Sequence, residues 1–389
     1  MENNLFDRHI YKQILDSIEP GRVTVIYGPR RVGKTVLLKK IQAELSKKTM
    51  YVNGEDMLYR GWLESQNSSI FRENLGETEI LIIDEAQHVN SIGLNLKIMV
   101  DTFPNLIIIV SGSSSFELAN QIGEPLVDRK TEFKLYPLAQ LELKKYETAA
   151  ETKELLTKRL IYGSYPKVLT AKSNEQKEKI LLDLVNNYLI KDVLALDKIK
   201  KSNKIFDLLR LIAHQIGKEV SISELSRSLQ LNFQTVERYL DLMEKTWVIT
   251  KVSGFSSNLR KEITKNYRYY FIDNGIRNAL IQNFNELNLR NDTGELWENY
   301  IFMERMKKRT YTGPNANYYF WRTYSQQEID LIEEHGGNLY GYEFKWNQKK
   351  INSAPKEWKS TYENAQYKII NPDNYLDFVA QILPILSHS

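Results

Sequence analysis

Eight residues near the amino terminus have the types and spacing that bind nucleotide phosphates. The segment from Gly28 to Thr35 reads GPRRVGKT and follows the pattern G-x-x-x-x-G-K-[ST]. Gly28 and Gly33 let the backbone wrap closely, so that amides from Arg30 onward point at phosphate oxygens. Lys34 reaches the β- and γ-phosphates, and the Thr35 hydroxyl binds Mg²⁺. The segment therefore predicts binding of ATP with Mg²⁺. The other predicted nucleotide contacts are Pro29, Arg31, Val32 and Val36.

The segments that flank this loop have the patterns of a strand and a helix. VTVIY, at residues 23–27, is a β-branched run typical of a buried strand, and VLLKKIQAEL, at residues 36–45, has helical spacing. The helix amino terminus adds partial positive charge toward the phosphates. A glycine-containing turn before a helix is the simpler alternative, but the complete motif in this context favours nucleotide binding.

An acidic pair follows the next apolar run. TEILIIDEAQHV, residues 78–89, places Asp84 and Glu85 at the carboxyl end of a predicted strand. Asp84 can hold Mg²⁺ through water, and Glu85 can polarise the water that attacks the terminal phosphate. Together with the phosphate loop, the pair predicts ATP hydrolysis rather than binding alone.

A serine cluster ends the third predicted strand. NLIIIVSGSSSFEL, residues 105–118, brings Ser111, Ser113 and Ser114 toward the phosphates. In one interpretation Ser113 senses the γ-phosphate and the attacking water. The alternative is a turn followed by a helix cap.

The order of these segments, followed by VDRKTEFKLYPLAQLEL, resembles the AAA+ superfamily. More narrowly, it resembles prokaryotic AAA-family ATPases related to origin-recognition and STAND-type switch proteins. The resemblance implies an α/β fold with a P-loop parallel sheet over residues 1–142. It also implies that Arg129, or its neighbour Lys130, is an arginine finger that acts across a subunit boundary. A homo-oligomer such as a hexameric ring is therefore expected, while a surface arginine before a strand is the alternative.

Residues 143–205 have helical patterns and are expected to form a lid. EKILLDLVNNYLIKDVLAL, residues 178–196, predicts one helix with a wide buried face. The sequence GSYP ends at Pro166. It is similar to the turn by which related ATPase lids contact the nucleotide, which implies that Pro166 packs near the adenine. As bare sequence, the turn is a joint between two helices.

Residues 206–255 have the length and pattern of a winged helix–turn–helix. FQTVERYLDLMEKT would be the recognition helix, with Thr235, Arg238 and Tyr239 near its exposed start and positioned to contact DNA. Acidic and basic residues balance each other on this helix, and winged helices also serve as spacers between proteins. A role as a spacer is therefore the alternative to contact with DNA. The basic segment at 256–270 either tracks a phosphate backbone or forms a solvated hairpin.

Acidic residues and a lysine recur in the tail, residues 256–389, which is predicted to be α/β. A predicted helix carries Glu298, and three predicted strands follow it. Asp330 lies on one strand of a hairpin with a Gly-Gly turn. Glu343 and Lys345 lie two apart on the other strand and so share a face.

This arrangement resembles the PD-(D/E)XK nuclease core. The resemblance implies that Glu298, Asp330 and Glu343 bind Mg²⁺ or Mn²⁺, because hard cations prefer oxygen ligands. It implies that Lys345 orients water and stabilises developing charge during DNA cleavage. A charged strand face on which Glu343 and Lys345 pair with each other is the alternative.

The composition of the chain excludes several kinds of site and of protein. The 389 residues include no cysteine, which excludes disulfides, cysteine-type zinc sites and thiol nucleophiles. Lys and Arg number 53 against 49 Asp and Glu, so any nucleic-acid surface must be local. The start has no signal-peptide pattern, and no apolar run has the ~20 residues of a membrane span. A cytoplasmic protein without a membrane partner is expected.

The sequence as a whole predicts an ATP-hydrolysing AAA+ protein that acts on DNA and whose tail either cleaves it or binds it. A DNA motor without cleavage is one alternative. A STAND-type regulatory switch, with the tail as a docking module for a protein partner, is the other.

Overall fold

The computed structural model describes residues 6–113, 122, 126–189, 202–256, 267–347, 353–362 and 364–381. The chain divides into two compact units. The first is built from Met1–Pro137 and takes in Lys245–Trp247. The second is built from Leu138–Leu194, Ile199–Glu244 and Val248–Ser389.

A parallel sheet of five strands forms the centre of the first unit, with the strands in the order β2-β3-β4-β1-β5. Each pair of neighbours is parallel. β1 and β3 are buried along their whole length, as their β-branched and aliphatic runs predict. The predicted P-loop type of sheet is confirmed. The strands are β1 (Val23–Tyr27), β2 (Thr49–Asn53), β3 (Ile80–Asp84), β4 (Ile107–Gly112) and β5 (Lys130–Lys134).

Helices connect β1 to β2, β2 to β3 and β3 to β4, because a parallel connection must cross from one end of the sheet to the other. α2 begins directly after the phosphate loop, as predicted. The helices of this unit are α1 (Ile10–Ser17), α2 (Lys34–Glu44), α3 (Met57–Leu63), α4 (Ser68–Leu75) and α5 (Ile92–Thr102), with a 3₁₀ turn at Ala86–His88.

The second unit begins with helices. The helix predicted from residue 178 starts earlier, at Asn174, because Ser173 caps it by accepting a hydrogen bond from the Gln176 amide. It passes into a π-helical turn, and residues 190–196 of the prediction lie outside the described residues. These elements are α6 (Gln140–Leu143), α7 (Ala149–Tyr162), α8 (Pro166–Leu169), α9 (Asn174–Leu184) and the π turn (Val185–Leu189).

Seven strands of the second unit form one mixed sheet in the order β12-β11-β10-β9-β7-β8-β6. β7 pairs with β8 antiparallel and with β9 parallel, so the sheet runs across the boundary predicted between residues 255 and 256. The division into four segments remains a prediction. The strands are β6 (Glu219–Val220), β7 (Ile249–Gly254), β8 (Tyr267–Phe271), β9 (Asn317–Arg322), β10 (Glu328–His335), β11 (Asn338–Phe344) and β12 (Gln366–Ile370).

Helices α10 to α16 alternate along the chain with the strands of this sheet. The predicted helix followed by three strands is confirmed as α14, β9, β10 and β11. The helices are α10 (Ser202–His214), α11 (Ile222–Leu229), α12 (Phe233–Lys245), α13 (Asn274–Leu280), α14 (Thr293–Thr312), α15 (Lys356–Thr361) and α16 (Tyr375–Val379), with a 3₁₀ turn at Leu287–Leu289.

The hairpin of β10 and β11 has the predicted Gly-Gly turn. Gly336 and Gly337 have φ values of 58° and 74°, which glycine adopts without the strain that a Cβ would cause. Below the hairpin, Ile329 and Ile332 pack with Trp321 and Trp358. The turn and this packing fix the register of the two strands that carry Asp330 and Glu343.

Candidate functional site

The phosphate loop lies between the end of β1 and the start of α2. Gly33 has φ 102°, and Arg31 also has a left-handed φ of 66°, so the loop curls tightly. A Cβ on Gly28 would lie 2.1 Å from the Leu135 carbonyl oxygen, so this position accepts no side chain. Lys34 Nζ donates to the carbonyl oxygens of Gly28 and Pro29, at 2.8 and 3.0 Å. The loop thus has the curvature that the motif predicts.

Asp84 brings the predicted magnesium ligands together at the carboxyl end of β3. Its Oδ2 accepts a hydrogen bond from Thr35 Oγ1 at 2.7 Å and another from the Tyr51 hydroxyl at 2.8 Å. Its Oδ1 accepts a hydrogen bond from Ser111 Oγ. A hydroxyl oxygen beside a buried carboxylate is the donor set that Mg²⁺ prefers in such loops, so these residues fit the ion. Tyr51 was not anticipated from the sequence, since only the pairing of β2 with β3 brings it here.

Gln87 connects Glu85 to Ser113. Its Nε2 donates to Glu85 Oε2 at 2.6 Å and to Ser113 Oγ at 3.1 Å, and its Oε1 accepts from the Ser113 amide at 3.3 Å. Glu85 has a left-handed φ of 52° and its amide donates to Ser111 Oγ at 3.2 Å. The structure therefore groups Glu85 with Ser113 through a side chain that the sequence analysis did not single out. Ser114 lies outside the described residues.

The remaining predicted nucleotide contacts lie around the loop. Val32 is buried, and its carbonyl accepts a hydrogen bond from Arg8 at 2.8 Å. Val36 is 45% exposed on α2. Arg30 approaches Glu55 at 3.9 Å. Their contacts with a nucleotide remain predictions, as do those of Pro29 and Arg31.

The two candidates for the arginine finger both form ion pairs within the first unit. Arg129 pairs with Asp101, and both side chains are about half exposed. Lys130 Nζ lies 2.5 Å from Glu132 Oε1. An exposed ion pair costs little to break, so Arg129 can exchange Asp101 for another partner. Its role as a finger remains a prediction.

The GSYP turn is held firmly within the second unit. Gly163 ends α7 with φ 72°, and the Ser164 amide donates to Asp273 Oδ2 at 2.7 Å. Pro166 is the first residue of α8, where its missing amide is not needed. The turn is thus a joint between helices, and contact of Pro166 with adenine remains a prediction.

The proposed recognition helix, α12, differs from the prediction at one residue. Tyr239 is only 5% exposed, so its predicted place on the exposed start is wrong. It falls on the buried stripe with Val236 and Met243, at the spacing that puts residues on one helix face. Arg238 is exposed and Thr235 partly exposed. Residues 257–266 of the basic segment lie outside the described residues.

In the second unit, four acidic and two basic side chains gather near the ends of β8, β10 and β11. We call this group the carboxylate cluster. Most of it lines an open cleft of about 970 Å³. The cluster consists of Glu298, Glu328, Asp330, Glu343, Arg268 and Lys345.

Two local features position the carboxylates. Asn299 accepts a hydrogen bond from the Phe271 amide at 2.7 Å and donates to the Phe271 carbonyl at 2.9 Å, which locks α14 against β8. The neighbouring Glu298 therefore accepts a hydrogen bond from the Tyr270 hydroxyl at 2.8 Å. A bulge in β10, between Ile329 and Ile332, surrounds Asp330, whose Oδ2 accepts from the Phe344 amide at 2.7 Å.

The hairpin places Glu343 and Lys345 side by side, as their spacing predicts. Lys345 Nζ lies 2.5 Å from Glu343 Oε1, so the ion pair that was the simpler alternative is present. Glu343 Oε2 is buried and has no hydrogen-bond partner among the described residues. Lys345 is 42% exposed, and so it remains reachable from the cleft.

Arg268 on β8 lies among the other three carboxylates. Its Nη1 is 3.6 Å from Glu298 Oε1 and 3.8 Å from Asp330 Oδ1, and its Nη2 is 3.1 Å from Glu328 Oε2. Burial alone would lower the pKa of Arg268, but Tyr270 and these carboxylates outweigh burial and raise it. Arg268 is thus a permanent cation. Its place beside Asp330 could not be predicted, because the two residues are distant in the chain.

Burial and crowding make these carboxylates weak acids. Burial, and then the charge of Asp330, raise the pKa of Glu298 to about 8. The same two causes raise the pKa of Glu343 to about 7. Burial also raises the pKa of Asp330. These carboxyl groups therefore hold their protons more tightly than exposed ones do, and a cation bound beside them would favour their ionised forms.

The side chains of the cluster are of the types that bind a divalent cation, but the distances between them do not fit one. Carboxylate oxygens suit Mg²⁺ and Mn²⁺, and Glu343 Oε2 is a buried acceptor without a donor. Yet no three acidic or histidine side chains within the described residues are close enough together to hold a metal ion. The Arg268 guanidinium lies near Glu298 and Asp330 instead.

The helices were compared with the requirements for a membrane-spanning segment. Within the described ranges, none combines the length and the apolar character that a membrane crossing requires.

Three family matches cover most of the chain. Residues 20–144 match the family described as "AAA domain". Residues 153–287 match "Domain of unknown function (DUF8612)", and residues 293–385 match "Domain of unknown function (DUF4143)". The first match agrees with the parallel sheet and the phosphate loop. The match supports ATP binding and hydrolysis by the amino-terminal segment.

Relatives that align with most of this chain occur in bacteria and archaea. An uncharacterized protein of Mycobacterium tuberculosis (strain H37Rv) is 27% identical over 327 residues, which span 83% of this chain and 70% of that protein. One from Haemophilus influenzae is 25% identical and spans 72% and 75%. One from Methanocaldococcus jannaschii is 24% identical and spans 83% and 74%.

Two solved structures are similar at a low level. A DNA replication initiation factor is 18% identical, with a TM-score of 0.29, and spans 62% of this chain and 89% of that chain. Domain III of the Thermotoga maritima replication initiation protein DnaA is 18% identical, with a TM-score of 0.26, and spans 57% and 89%. These scores are too low to carry an argument about this chain.

Proposed function

We propose that the protein is a Mg²⁺-dependent AAA+ ATPase whose second unit acts on DNA, with metal-dependent cleavage at the carboxylate cluster. The observation that carries the DNA part is the meeting of Glu298, Asp330, Glu343 and Lys345 in one cluster beside an open cleft. Three carboxylates and a lysine are the groups that metal-dependent cleavage of a phosphodiester needs.

In the ATPase, each residue of the first unit has a separate task. Thr35 and Asp84 would hold Mg²⁺, which neutralises charge on the transferring phosphoryl group. Lys34 exchanges its bonds to the loop carbonyls for the phosphate oxygens. Glu85 orients the attacking water. Gln87 holds the Glu85 carboxylate close to Ser113 by donating a hydrogen bond to each side chain.

At the carboxylate cluster, Asp330 and Glu343 would hold Mg²⁺ or Mn²⁺ with Glu298 as a further ligand. The ion, when bound, supplies an activated water and polarises the phosphate. Lys345, held by Glu343, positions its ammonium where charge develops on the phosphate. Its 42% exposure lets a DNA backbone reach it.

Contact with duplex DNA is assigned to α11 and α12 with strands β6 to β8. A short strand, two helices and an antiparallel strand pair support the winged helix–turn–helix interpretation. Arg238 and Thr235, on the first turns of α12, would face a groove. Phe233, 43% exposed at the start of the same helix, would lie beside them.

A second candidate is a STAND-type switch whose tail docks to a protein partner. The observation that favours it is Arg268, which pairs with the carboxylates that would otherwise ligate a metal. In that case nucleotide exchange gates assembly, either of a homo-oligomer through Arg129 or with the partner, and DNA is not cut.

The test is a cleavage assay on linear, circular and branched DNA, with Mg²⁺ or Mn²⁺ and with or without ATP. Wild type is expected to cut, Asp330→Asn to lose cleavage by at least about a hundredfold, and Lys34→Ala to show whether ATP controls it. Asp373→Asn, an exposed carboxylate on the same unit, is the matched control. If wild type cuts under no condition, the nuclease part is wrong and the switch remains.

A further inference from the structure

We propose that Arg8 is a positioning residue of the nucleotide site and holds the phosphate loop in the shape that binds phosphate. It does so by tying the loop to Leu135 and Tyr136, which follow β5 directly and which we call the exit segment. The inference rests on the proposed ATPase function. It assigns a task to a residue that lies outside the phosphate-loop motif.

The Arg8 side chain bridges two main-chain carbonyl groups. Its Nη1 donates to the Val32 carbonyl oxygen at 2.8 Å, and its Nη2 donates to the Tyr136 carbonyl oxygen at 2.6 Å. Val32 belongs to the phosphate loop, whereas Tyr136 belongs to the exit segment. Arg8 is only 9% exposed and directs these donors at protein carbonyl groups, so it acts on the loop rather than on the nucleotide itself.

Arg8 fixes the direction of the peptide group between Val32 and Gly33. The carbonyl and the following N–H of a trans peptide group point in opposite directions. Because Arg8 holds the Val32 carbonyl, the Gly33 N–H points away from Arg8, and the motif predicts that this N–H binds phosphate. Gly33, with φ 102°, lets the peptide group rotate easily, so an outside contact is needed to keep one orientation.

The exit segment is a firm anchor for this contact. The Leu135 amide donates to the Tyr27 carbonyl at 2.7 Å and so continues the pairing of β5 with β1. A Cβ on Gly28 would lie 2.1 Å from the Leu135 carbonyl oxygen, so the first residue of the loop already touches this segment. Two points of the loop are therefore tied to one anchor, directly at Gly28 and through Arg8 at Val32.

Contacts with α2 hold the segment that carries Arg8. Asp7 Oδ1 lies 2.6 Å from Lys40 Nζ, and the Tyr11 hydroxyl donates to Glu44 Oε2 at 3.3 Å. The Tyr11 amide donates to the Arg8 carbonyl at 3.1 Å. Because α2 begins directly after the phosphate loop, the start of α1 and the loop are fixed to the same helix. The guanidinium is thus held where it can reach both carbonyl groups.

The test measures binding of ADP with Mg²⁺ to the full chain by isothermal titration calorimetry, because hydrolysis does not consume ADP. Arg8→Met removes both donors but keeps a long side chain. We expect it to bind ADP at least about tenfold more weakly than wild type, since binding must then order the loop. kcat for ATP hydrolysis should fall less than about threefold, because Arg8 supports ground state and transition state alike.

Arg22→Met is the matched control. Arg22 Nη2 also donates to a main-chain carbonyl of β5, that of Lys130 at 3.3 Å. Lys130 pairs with Val23, at the end of the sheet opposite to the phosphate loop. Arg22→Met should leave ADP affinity unchanged. Thermal unfolding without nucleotide shows how far each substitution loosens the unit as a whole.

Hydrogen exchange of the wild-type protein keeps the test decisive if Arg8→Met does not fold. ADP should slow amide exchange in the phosphate loop and also in residues 6–11 and 135–136, because Arg8 joins these three segments. Residues 18–22, at the other end of the sheet, should exchange as before. Slowing that is confined to the phosphate loop would overturn the inference.

Equal ADP affinity in wild type and Arg8→Met also overturns the inference, as does an equal loss of affinity in Arg22→Met. The failure of the proposed function is separate. If Arg8→Met loses ADP affinity but wild type hydrolyses no ATP, Arg8 still positions the loop and the ATPase assignment falls.

Discussion

At the scale of single residues, side chains from distant parts of the sequence complete both candidate sites. The phosphate loop and the Asp84-Glu85 pair could be predicted because each is a short motif with its own chemistry. Tyr51, Gln87 and Arg268 could not, because their contacts depend on which strands and turns become neighbours in space.

Gln87 gives the first prediction at this scale. Gln87→Ala should lower kcat for ATP hydrolysis about a hundredfold with little change in ATP affinity, because the Glu85 carboxylate loses the donor that fixes it. Steady-state ATPase kinetics and nucleotide binding measure the two effects. Gln42→Ala on α2 is the control of the same residue type. Unchanged kcat would show that Gln87 does not position Glu85.

Asp292 gives a prediction for the dependence of stability on pH. Burial would raise its pKa, but Arg290 and Arg277 outweigh burial and lower it to about 2. A carboxyl group whose pKa is depressed in the folded state stabilises that state above its unfolded pKa, near 4. This contribution is lost as the pH falls from about 4 to about 2.

Asp292→Asn should therefore be less stable than wild type at neutral pH by about 1–2 kcal/mol, after allowance for partial solvent screening. The difference should vanish below pH of about 2. Denaturant unfolding of both proteins across this range measures it. A difference that persists in acid would contradict the ion-pair explanation.

At the scale of elements, the alternation of strands and helices could be predicted and their neighbours could not. The runs VTVIY and LIIIV are local signals, and they became β1 and β4. The strand order and the parallel pairing of β7 with β9 depend on contacts between distant segments. Tyr239 was misplaced although the spacing of Val236, Tyr239 and Met243 marks a buried stripe.

The hairpin turn gives a prediction at this scale. Gly337→Ala should destabilise the protein by about 1 kcal/mol, because φ of 74° strains a residue with a Cβ. Gly294→Ala is the matched control, since it lies in the first turn of α14 with nothing within 4 Å of an added Cβ. It should be neutral or stabilising by about 0.4–1 kcal/mol. Thermal unfolding compares them, and equal losses would contradict the strained turn.

For the whole molecule, we propose that the first unit hydrolyses ATP and that the second acts on DNA. The first assignment has both a motif and a family match behind it. The second depends on side chains that the fold brings together in one cleft. We propose that the two functions are coupled, so that binding of DNA changes ATP turnover.

The measurement that tests this claim most directly is ATP turnover with and without duplex DNA over a range of salt concentrations. We expect DNA to raise turnover, and we expect the effect to fall as salt rises because phosphate contacts are screened. Arg238→Ala should weaken the effect, and Lys34→Ala should abolish turnover. If the protein hydrolyses ATP but turnover at low salt is the same with and without DNA, DNA binding and ATP hydrolysis are not coupled.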